Sequence, residues 1–262
     1  MSELLSHDQL DTYLQRVALT RAPDADATGL VALHLAQFFA IPFENFDVLS
    51  GHGVDLDPEV VFNKLVTRRR GGYCFELNGL MLRVLRTLGF DARPLLARVH
   101  LTDPPSGRTH QLNLVTLGTE RWIMDVGFGA GGPRAPLPLG EGATDCGIAG
   151  FELSRRDPWG WMLRTREADR WKPSYSFDME FVTAEDIELG NHYTSTSPKT
   201  HFTQLATVSL PTQDGRISMR DGEFTEIDGS GERTRQIAPA SYLEFIRNTF
   251  GIELDELPRT IR

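Results

Sequence analysis

Long apolar runs, a basic leader segment and a set of paired cysteines are all missing from this 262-residue sequence. No window is apolar for long enough to form a membrane-spanning helix, and the first residues are not typical of a secretory leader, so we expect neither membrane insertion nor secretion. The two cysteines, Cys74 and Cys146, are too few for a disulfide framework. We therefore interpret both as reduced thiols of a cytoplasmic protein.

Basic charge is also scarce. The net charge is −9, and an acidic protein repels the phosphate backbone of nucleic acids unless it has a local basic face. The one dense basic run, Arg68-Arg69-Arg70, is either a solvated turn or a charge cluster that serves a neighbouring site. We expect no nucleic-acid partner.

The first third of the chain has apolar residues at helical spacing. Asp57-Pro58 predicts the start of a helix, because aspartate is a good cap and proline suits the first turn. After Gly71-Gly72 breaks the chain, a further helix is predicted to begin at Cys74 and to stop at Gly89. A last helix is predicted near the C-terminus, with Gly251 as its stop.

The middle of the chain changes to alternating apolar and β-branched residues. Strands are predicted around 92–101, 110–117, 121–128, 159–166, 175–182 and 203–220. The stretch from Gly129 to Gly147, rich in Gly and Pro, is expected to be a long loop. Helices followed by strands and then by a mixed segment predict an α+β protein with segregated parts.

Cys74 is the first candidate functional residue. It follows a basic run and opens a predicted helix, where backbone amides and the helix dipole favour a thiolate over a thiol. The alternative is a buried, inert cysteine, which is the commonest fate of a lone cysteine. Cys146 lies in the glycine-rich stretch and has no such setting.

A predicted hairpin carries two further candidates, His110 and Asp125. If the turn is centred on Gly118 and Thr119, opposed positions sum to 237, so that Asp125 faces Leu112 and lies diagonally from His110 on the same face. A one-residue slip would place the two side chains on opposite faces. Separately, each could be purely structural; together with Cys74 they are the groups that nucleophilic thiol catalysis requires.

The segment Gly127-Phe-Gly-Ala-Gly-Gly132 satisfies the G-x-G-x-x-G pattern of dinucleotide sites. That pattern needs a helix next, whereas Pro133-Arg-Ala-Pro-Leu-Pro138 forbids one. The glycines instead let backbone amides approach an anionic or bulky ligand such as a pyrophosphate. No Walker motif or paired-cysteine pattern occurs, and His110 and His192 are too isolated to suggest zinc, so no metal is expected.

Five segments resemble, in order, the motifs of the arylamine N-acetyltransferase family. They are Ile41-Pro-Phe-Glu-Asn-Phe-Asp47, Arg68-Arg-Arg-Gly-Gly-Tyr-Cys-Phe-Glu-Leu-Asn78, Thr109-His-Gln-Leu-Asn-Leu-Val115, Met124-Asp-Val-Gly-Phe-Gly129 and Asn191-His-Tyr-Thr-Ser-Thr-Ser-Pro198. Together they span most of the chain. The resemblance implies an α+β fold with a cysteine-protease-like core: a helical bundle with the nucleophile (residues 1–89), an antiparallel β-barrel with the histidine and aspartate (90–200), and a C-terminal α/β lid (201–262).

The resemblance also implies the reaction and its participants. Acetyl-CoA, a co-substrate rather than a bound cofactor, would acylate Cys74. An aromatic amine, hydrazine or N-hydroxyarylamine would then take the acetyl group in a ping-pong sequence. We expect a monomer or homodimer whose partners are these small molecules.

Residue roles follow from the resemblance where the motifs match. Cys74 would be the nucleophile, His110 its base and thiolate partner, and Asp125 the group that orients His110. Glu44 and Arg69 match positions of an ion pair that braces the active-site helix. The acceptor pocket would be lined by Phe43, Val99, Phe128 and Phe202, and CoA would meet Thr109, Gly127, Gly129, Gly131 and Gly132.

Three rival interpretations remain at this level. A cysteine hydrolase of the papain or transglutaminase kind uses the same three groups. An amide synthase of the same superfamily would close a macrocycle on an aromatic amine. A binding protein that kept the fold and lost the activity is the non-enzymatic alternative, although all three catalytic positions are intact.

Overall fold

A computed structural model of the chain describes residues 4–51, 53–146, 149–167 and 169–261. The α-helices are α1 (His7–Arg16), α2 (Ala27–Ala40), α3 (Phe46–Ser50), α4 (Pro58–Phe62), α5 (Cys74–Thr87), α6 (Ala184–Thr196) and α7 (Tyr242–Phe250); a π-helix (Asn63–Thr67) directly follows α4. Short 3-10 helices occur at His201–Thr203 and Pro239–Ser241. The strands are β1 (Phe43–Glu44), β2 (Asp91–Val99), β3 (Arg108–Leu117), β4 (Glu120–Met124), β5 (Leu137–Pro138), β6 (Gly142–Asp145), β7 (Gly150–Arg156), β8 (Gly160–Glu167), β9 (Arg170–Phe177), β10 (Thr207–Thr212), β11 (Gly215–Arg220), β12 (Glu223–Asp228) and β13 (Gly231–Gln236).

The predicted helix boundaries are confirmed where local signals set them. Asp57 caps α4, with its carboxylate accepting from the next two backbone amides, and Pro58 occupies the first turn. Helix α5 begins at Cys74, and Gly89 just beyond its end has a positive φ of 86°. Gly251 ends α7 in the left-handed conformation. These signals act over a few residues, so the sequence shows them directly.

The central sheet is a nearly closed antiparallel barrel of eight strands, ordered β5-β4-β3-β2-β9-β8-β7-β6. The β3–β4 hairpin has the predicted register, since Leu117 pairs with Glu120 and Asn113 with Met124. The barrel has its own apolar cluster, which includes Leu95, Leu112, Tyr175 and Phe177. The predicted α+β fold, with a central antiparallel barrel and helices at the N- and C-terminal ends of the chain, is therefore confirmed.

One edge strand of the C-terminal sheet, β1, comes from the N-terminal part of the chain. Its order is β1-β10-β11-β12-β13, and Phe43 pairs with Ser209 while Glu44 pairs with Val208. Helix α7 packs on this sheet through a cluster that also takes in Phe46 and Leu49 of α3. The N-terminal and C-terminal segments thus share a core, and the domain boundaries stay a prediction.

Some elements differ from the predicted ones. The expected loop from Gly129 to Gly147 contains the short strands β5 and β6, and Gly147 itself lies outside the described residues. Helix α6 and strand β7 were not predicted, and the strand predicted over 175–182 ends at Phe177. Strand β5 pairs with β4, and β6 pairs with β7; the periodicity of a single segment does not show such pairing. Across the described ranges, no helix is both long and apolar enough to cross a membrane.

Candidate active site

Cys74 occupies the first turn of α5 and is buried. Its Sγ lies 3.8 Å from the backbone oxygen of Thr109 on β3. Gly127 allows the loop after β4 to approach this turn, because a Cβ there would lie 2.9 Å from the Cα of Cys74 and 2.5 Å from Nδ2 of Asn78. The nucleophile candidate therefore sits where the helix, the barrel and the glycine-rich loop meet.

His110 and Asp125 form the pair that the hairpin register predicts. Nε2 of His110 lies 2.8 Å from Oδ2 of Asp125, and both side chains are buried. Because the carboxylate accepts from Nε2, the other ring nitrogen is left for Cys74, and the interaction with Cys74 is one of the causes that raise the pKa of His110. The three predicted catalytic side chains are thus brought together.

Asn78 links the helix to this pair, and the sequence analysis did not assign it a role. Its Nδ2 donates to Oδ1 of Asp125 (3.0 Å) and to the backbone oxygen of Gln111 (2.6 Å), while its Oδ1 accepts from the amide of Val126 (3.1 Å). Asn78 lies four residues after Cys74, so both occupy one face of α5. This four-residue spacing is the signal in the sequence that places Asn78 beside Cys74.

Charge interactions determine the protonation of the pair. Burial by itself lowers the pKa of His110, but the Asp125 carboxylate and the contact with Cys74 outweigh it and raise the pKa to about 10. Burial raises the pKa of Asp125, yet His110, Asn78 and the amide of Gly127 hold it below its ordinary value. At neutral pH the pair is an imidazolium and a carboxylate, and an adjacent imidazolium favours a thiolate.

Aromatic rings exclude water around the imidazole. The ring of His110 lies 5.1 Å from the ring centroid of Phe128 and 5.1 Å from that of Tyr175. Tyr175, on β9, is fully buried, and burial together with the Asp125 charge raises the pKa of its hydroxyl well above the ordinary value. Tyr175 was not among the predicted site residues, because only the β2–β9 pairing brings it here.

The four predicted acceptor-pocket residues fall into two groups. Phe43 and Phe202 have ring centroids 5.9 Å apart, and Phe202 also approaches Tyr73, the residue before Cys74, at 6.1 Å. Phe128 contacts His110, and Val99 is the cross-strand neighbour of Tyr175. Both groups therefore adjoin the predicted catalytic residues, the first from the helical side and the second from the barrel side.

The glycine-rich segment after β4 is irregular and is not followed by a helix. Gly129 has a positive φ of 73°, and its backbone oxygen accepts from the amide of Gly132 at 2.9 Å, which makes a tight turn. A Cβ on Gly131 would meet no atom within 4 Å. Thr109, which belongs to the same predicted set, contacts Cys74 Sγ through its backbone oxygen.

The predicted ion pair between Glu44 and Arg69 is wrong in one partner. Arg70 donates to Glu44 Oε1 from Nε (3.1 Å) and Nη2 (2.8 Å), and also to Asp47 (2.9 Å). Arg69 is exposed and has a positive φ of 54°. The local turn directs the neighbouring arginine inward, and a run of three arginines does not reveal which one is buried.

Known proteins are similar to this chain in sequence and in fold. A family model described as N-acetyltransferase matches residues 26–258. An arylamine N-acetyltransferase / N-hydroxyarylamine O-acetyltransferase of Salmonella typhimurium is 36% identical, with 95% of this chain and 90% of that protein covered. The solved arylamine N-acetyltransferase from Salmonella typhimurium superposes with a TM-score of 0.90 at 33% identity, covering 98% and 94% of the two chains. The structure of the Mycobacterium marinum arylamine N-acetyltransferase in complex with CoA superposes with a TM-score of 0.87 at 32% identity, and the match covers 93% of this chain and 92% of that chain.

Proposed function

The chain belongs to the arylamine N-acetyltransferase family, and on that premise we propose that Cys74, His110 and Asp125 carry out its acetyl transfer as a catalytic triad. The chain is an acyltransferase that moves acetyl groups to arylamines. The observation that carries the triad is the buried 2.8 Å contact between His110 and Asp125 beside a cysteine at a helix start. A cysteine hydrolase or an amide synthase is not favoured, because the relatives named above are acetyltransferases.

In the first half of the reaction, the Cys74 thiolate attacks the acetyl carbonyl of acetyl-CoA. The new bond joins Sγ to the acetyl carbon, and the bond between that carbon and the CoA sulfur breaks. The His110 imidazolium gives its proton to the departing CoA thiolate. The products are acetyl-Cys74, free CoA and a neutral imidazole held by Asp125. The exchange of one thioester for another involves like bonds, which keeps the step close to balanced in energy.

In the second half, the amine nitrogen attacks the acetyl group on Cys74. The imidazole of His110 takes the proton that the amine loses, and the Cys74 thiolate leaves. The thiolate–imidazolium pair is thereby restored. The buried position of the pair and the rings of Phe128 and Tyr175 support this order, since a site poor in water lets the amine rather than water take the acetyl group.

We propose that acetyl-CoA binds along the glycine-rich segment as a co-substrate, with no resident cofactor. Support comes from the tight turn between Gly129 and Gly132, from the space around Gly131, and from the CoA complex of the Mycobacterium marinum protein. Backbone amides in such a turn can face phosphate oxygens. Thr109 and Gly127 adjoin Cys74, which suits the pantetheine end of the molecule.

Phe43, Val99, Phe128 and Phe202 are proposed to contact the acceptor. Their rings and the methyl groups of Val99 would pack on a planar aromatic amine, hydrazine or N-hydroxyarylamine. N-hydroxyarylamines are included because the relative from Salmonella typhimurium carries that second activity in its name.

A cytoplasmic location is supported by the two free thiols, Cys74 and Cys146. A monomeric or homodimeric state stays a prediction.

Intact-mass spectrometry tests the proposal directly. After mixing with acetyl-CoA and no amine, we expect the mass of one acetyl group on the protein, located on the peptide that contains Cys74. Addition of an arylamine should remove it and yield the N-acetylated amine. An acetyl group on Cys146 or on a lysine, or transfer only when both substrates are present together, would contradict the thioester route.

A further inference from the structure

A network of buried and half-buried charged side chains extends from β1 to the first turn of α5. Arg70 donates hydrogen bonds to Glu44 and to Asp47. Asp47 also forms an ion pair with Lys64, whose Nζ lies 2.7 Å from Oδ2 of Asp47. The same ammonium lies 2.7 Å from Oε1 of Glu76. The network therefore extends well past the Glu44–Arg70 ion pair, and Lys64 joins its two halves.

Lys64 is an unusual residue to find inside this protein. It lies ten positions before Cys74, on the π-helix Asn63–Thr67, and is only 8% exposed. A π-turn is a rare element that often marks a functional position. Its ammonium contacts two carboxylates and lies next to the helix that carries the nucleophile.

Glu76 does two things at that helix start. Its Oε2 accepts from the backbone amide of Tyr73 at 3.1 Å and so caps α5, while its Oε1 contacts Lys64. Gly72 makes room for this arrangement, since a Cβ there would lie 2.7 Å from Oε2 of Glu76. The cap places a carboxylate, itself only 2% exposed, two residues from Cys74.

A carboxylate in that place stabilises the helix but opposes a thiolate. Two residues in the first turn of a helix place their charges roughly 10 Å apart or less. At an effective dielectric constant of about 20, a unit charge at that separation changes the ionisation equilibrium of a neighbouring group by about tenfold. The helix cap is therefore a negative charge at the position where a positive charge would favour the Cys74 thiolate.

We propose that Lys64 is a positioning residue that resolves this conflict: it compensates the charge of Glu76, so that the carboxylate caps the nucleophile's helix without opposing the Cys74 thiolate. The inference rests on the proposed role of Cys74. Lys64 touches no substrate; it acts through Glu76 and, on its other side, holds Asp47 of α3.

The other charged side chains near Lys64, Glu76 and Cys74 have partners of their own. Arg70 pairs with Glu44 of β1 and with Asp47 of α3. Arg16 of α1 donates to the backbone oxygen of Leu65 on the π-helix at 3.1 Å. On the barrel side, Cys74 faces His110 and, behind it, Asp125. Lys64 is the cation that contacts Glu76 in this part of the described chain.

The test uses the sign of the charge. Alkylation of Cys74 by iodoacetamide is followed on its own peptide by mass spectrometry, across pH and without acetyl-CoA. Glu76→Gln keeps an oxygen that can cap Tyr73 and leaves the Lys64 charge, so half-maximal alkylation should move to lower pH by about one unit. Lys64→Met should move it to higher pH, by less than that, because the buried Glu76 can then take up a proton. The double variant should return close to the wild-type value.

A purely structural tether predicts a different pattern. Removing either end would then slow alkylation in the same direction, and the double variant would be no better than the worse single one; that result overturns the proposal. An unchanged profile for Glu76→Gln overturns it as well, and this variant retains the cap if Lys64→Met folds poorly. Lys172→Met, which removes an exposed lysine paired with Glu167, is the matched control and should leave the profile unchanged. Failure of Cys74 to become acetylated in the wild type would instead count against the proposed function.

Discussion

Replacing Asn78 with alanine probes how the helix of the nucleophile holds the His–Asp pair. The change removes the Nδ2 donors to Asp125 and Gln111 and the Oδ1 acceptor for Val126. All of these contacts are buried, so water cannot replace the lost partners. The backbone oxygen of Asn78, which accepts from Asn113, is unaffected.

The size of the effect follows from those contacts. Each buried hydrogen bond lost is worth about 1 kcal/mol, and a partner left unsatisfied costs about 1–3 kcal/mol. We therefore expect Asn78→Ala to lower the free energy of unfolding by about 2–4 kcal/mol, which a domain of ordinary stability survives. Asp125 loses one of the donors that orient it, and a displaced catalytic side chain can lower the rate by about 100-fold.

Two measurements check the prediction. Urea unfolding gives the stability, and release of CoA in the presence of an arylamine gives kcat/KM on folded protein. Asn78→Asp should be worse, because it keeps an acceptor for Val126 but sets a second carboxylate against Asp125. Asn248→Ala, on the exposed side of α7, is the matched control. Wild-type kcat/KM in Asn78→Ala would refute the reasoning.

Other substitutions follow from the same geometry. Cys74→Ala should abolish acetyl-enzyme formation in the mass spectrum and leave the urea midpoint close to wild type; retained transfer would remove Cys74 from the mechanism. Asp125→Asn should lower kcat/KM by about 10²–10⁴-fold, since the imidazolium loses its carboxylate; an unchanged pH profile of Cys74 alkylation would contradict this. The pKa of Asp125 is below its ordinary 3.8 in the folded protein, so the stability that Asp125 contributes is present above pH 3.8 and is lost as the pH falls through the folded pKa. The pKa of His110 is raised to about 10, so the stability that His110 contributes is complete below its ordinary pKa of 6.5 and is lost as the pH rises through about 10. Both dependences should show in urea midpoints measured against pH, and should weaken in Asp125→Asn. Arg70→Met should cost about 3–5 kcal/mol of stability, as expected for breaking a buried ion pair, whereas Arg69→Met should leave the unfolding midpoint unchanged; equal effects would undo the assignment of Arg70.

Much of the site could be predicted because its signals are local. Cys74 follows a glycine pair and opens a helix, which is visible within a few residues. Gly118 and Thr119 determine the hairpin turn, and the turn determines that His110 and Asp125 share a face. The proline-rich segment after Gly132 excludes a helix there. Each of these inferences needs only neighbouring residues and the geometry of a helix or a hairpin.

The tertiary structure decided everything that depends on which distant segments meet. It selected Arg70 rather than Arg69 for Glu44, because a left-handed residue in the turn directs the two side chains differently. It placed Tyr175 against His110 through the β2–β9 pairing and gave the C-terminal sheet an edge strand at Phe43–Glu44. Periodicity describes one segment at a time, whereas these contacts join segments as far apart in the sequence as Phe43 and Ser209, which are separated by 166 residues. The sequence by itself therefore determined the proposed nucleophile, its proposed base and the acid proposed to orient that base; only the folded chain determined which buried side chains hold them in place.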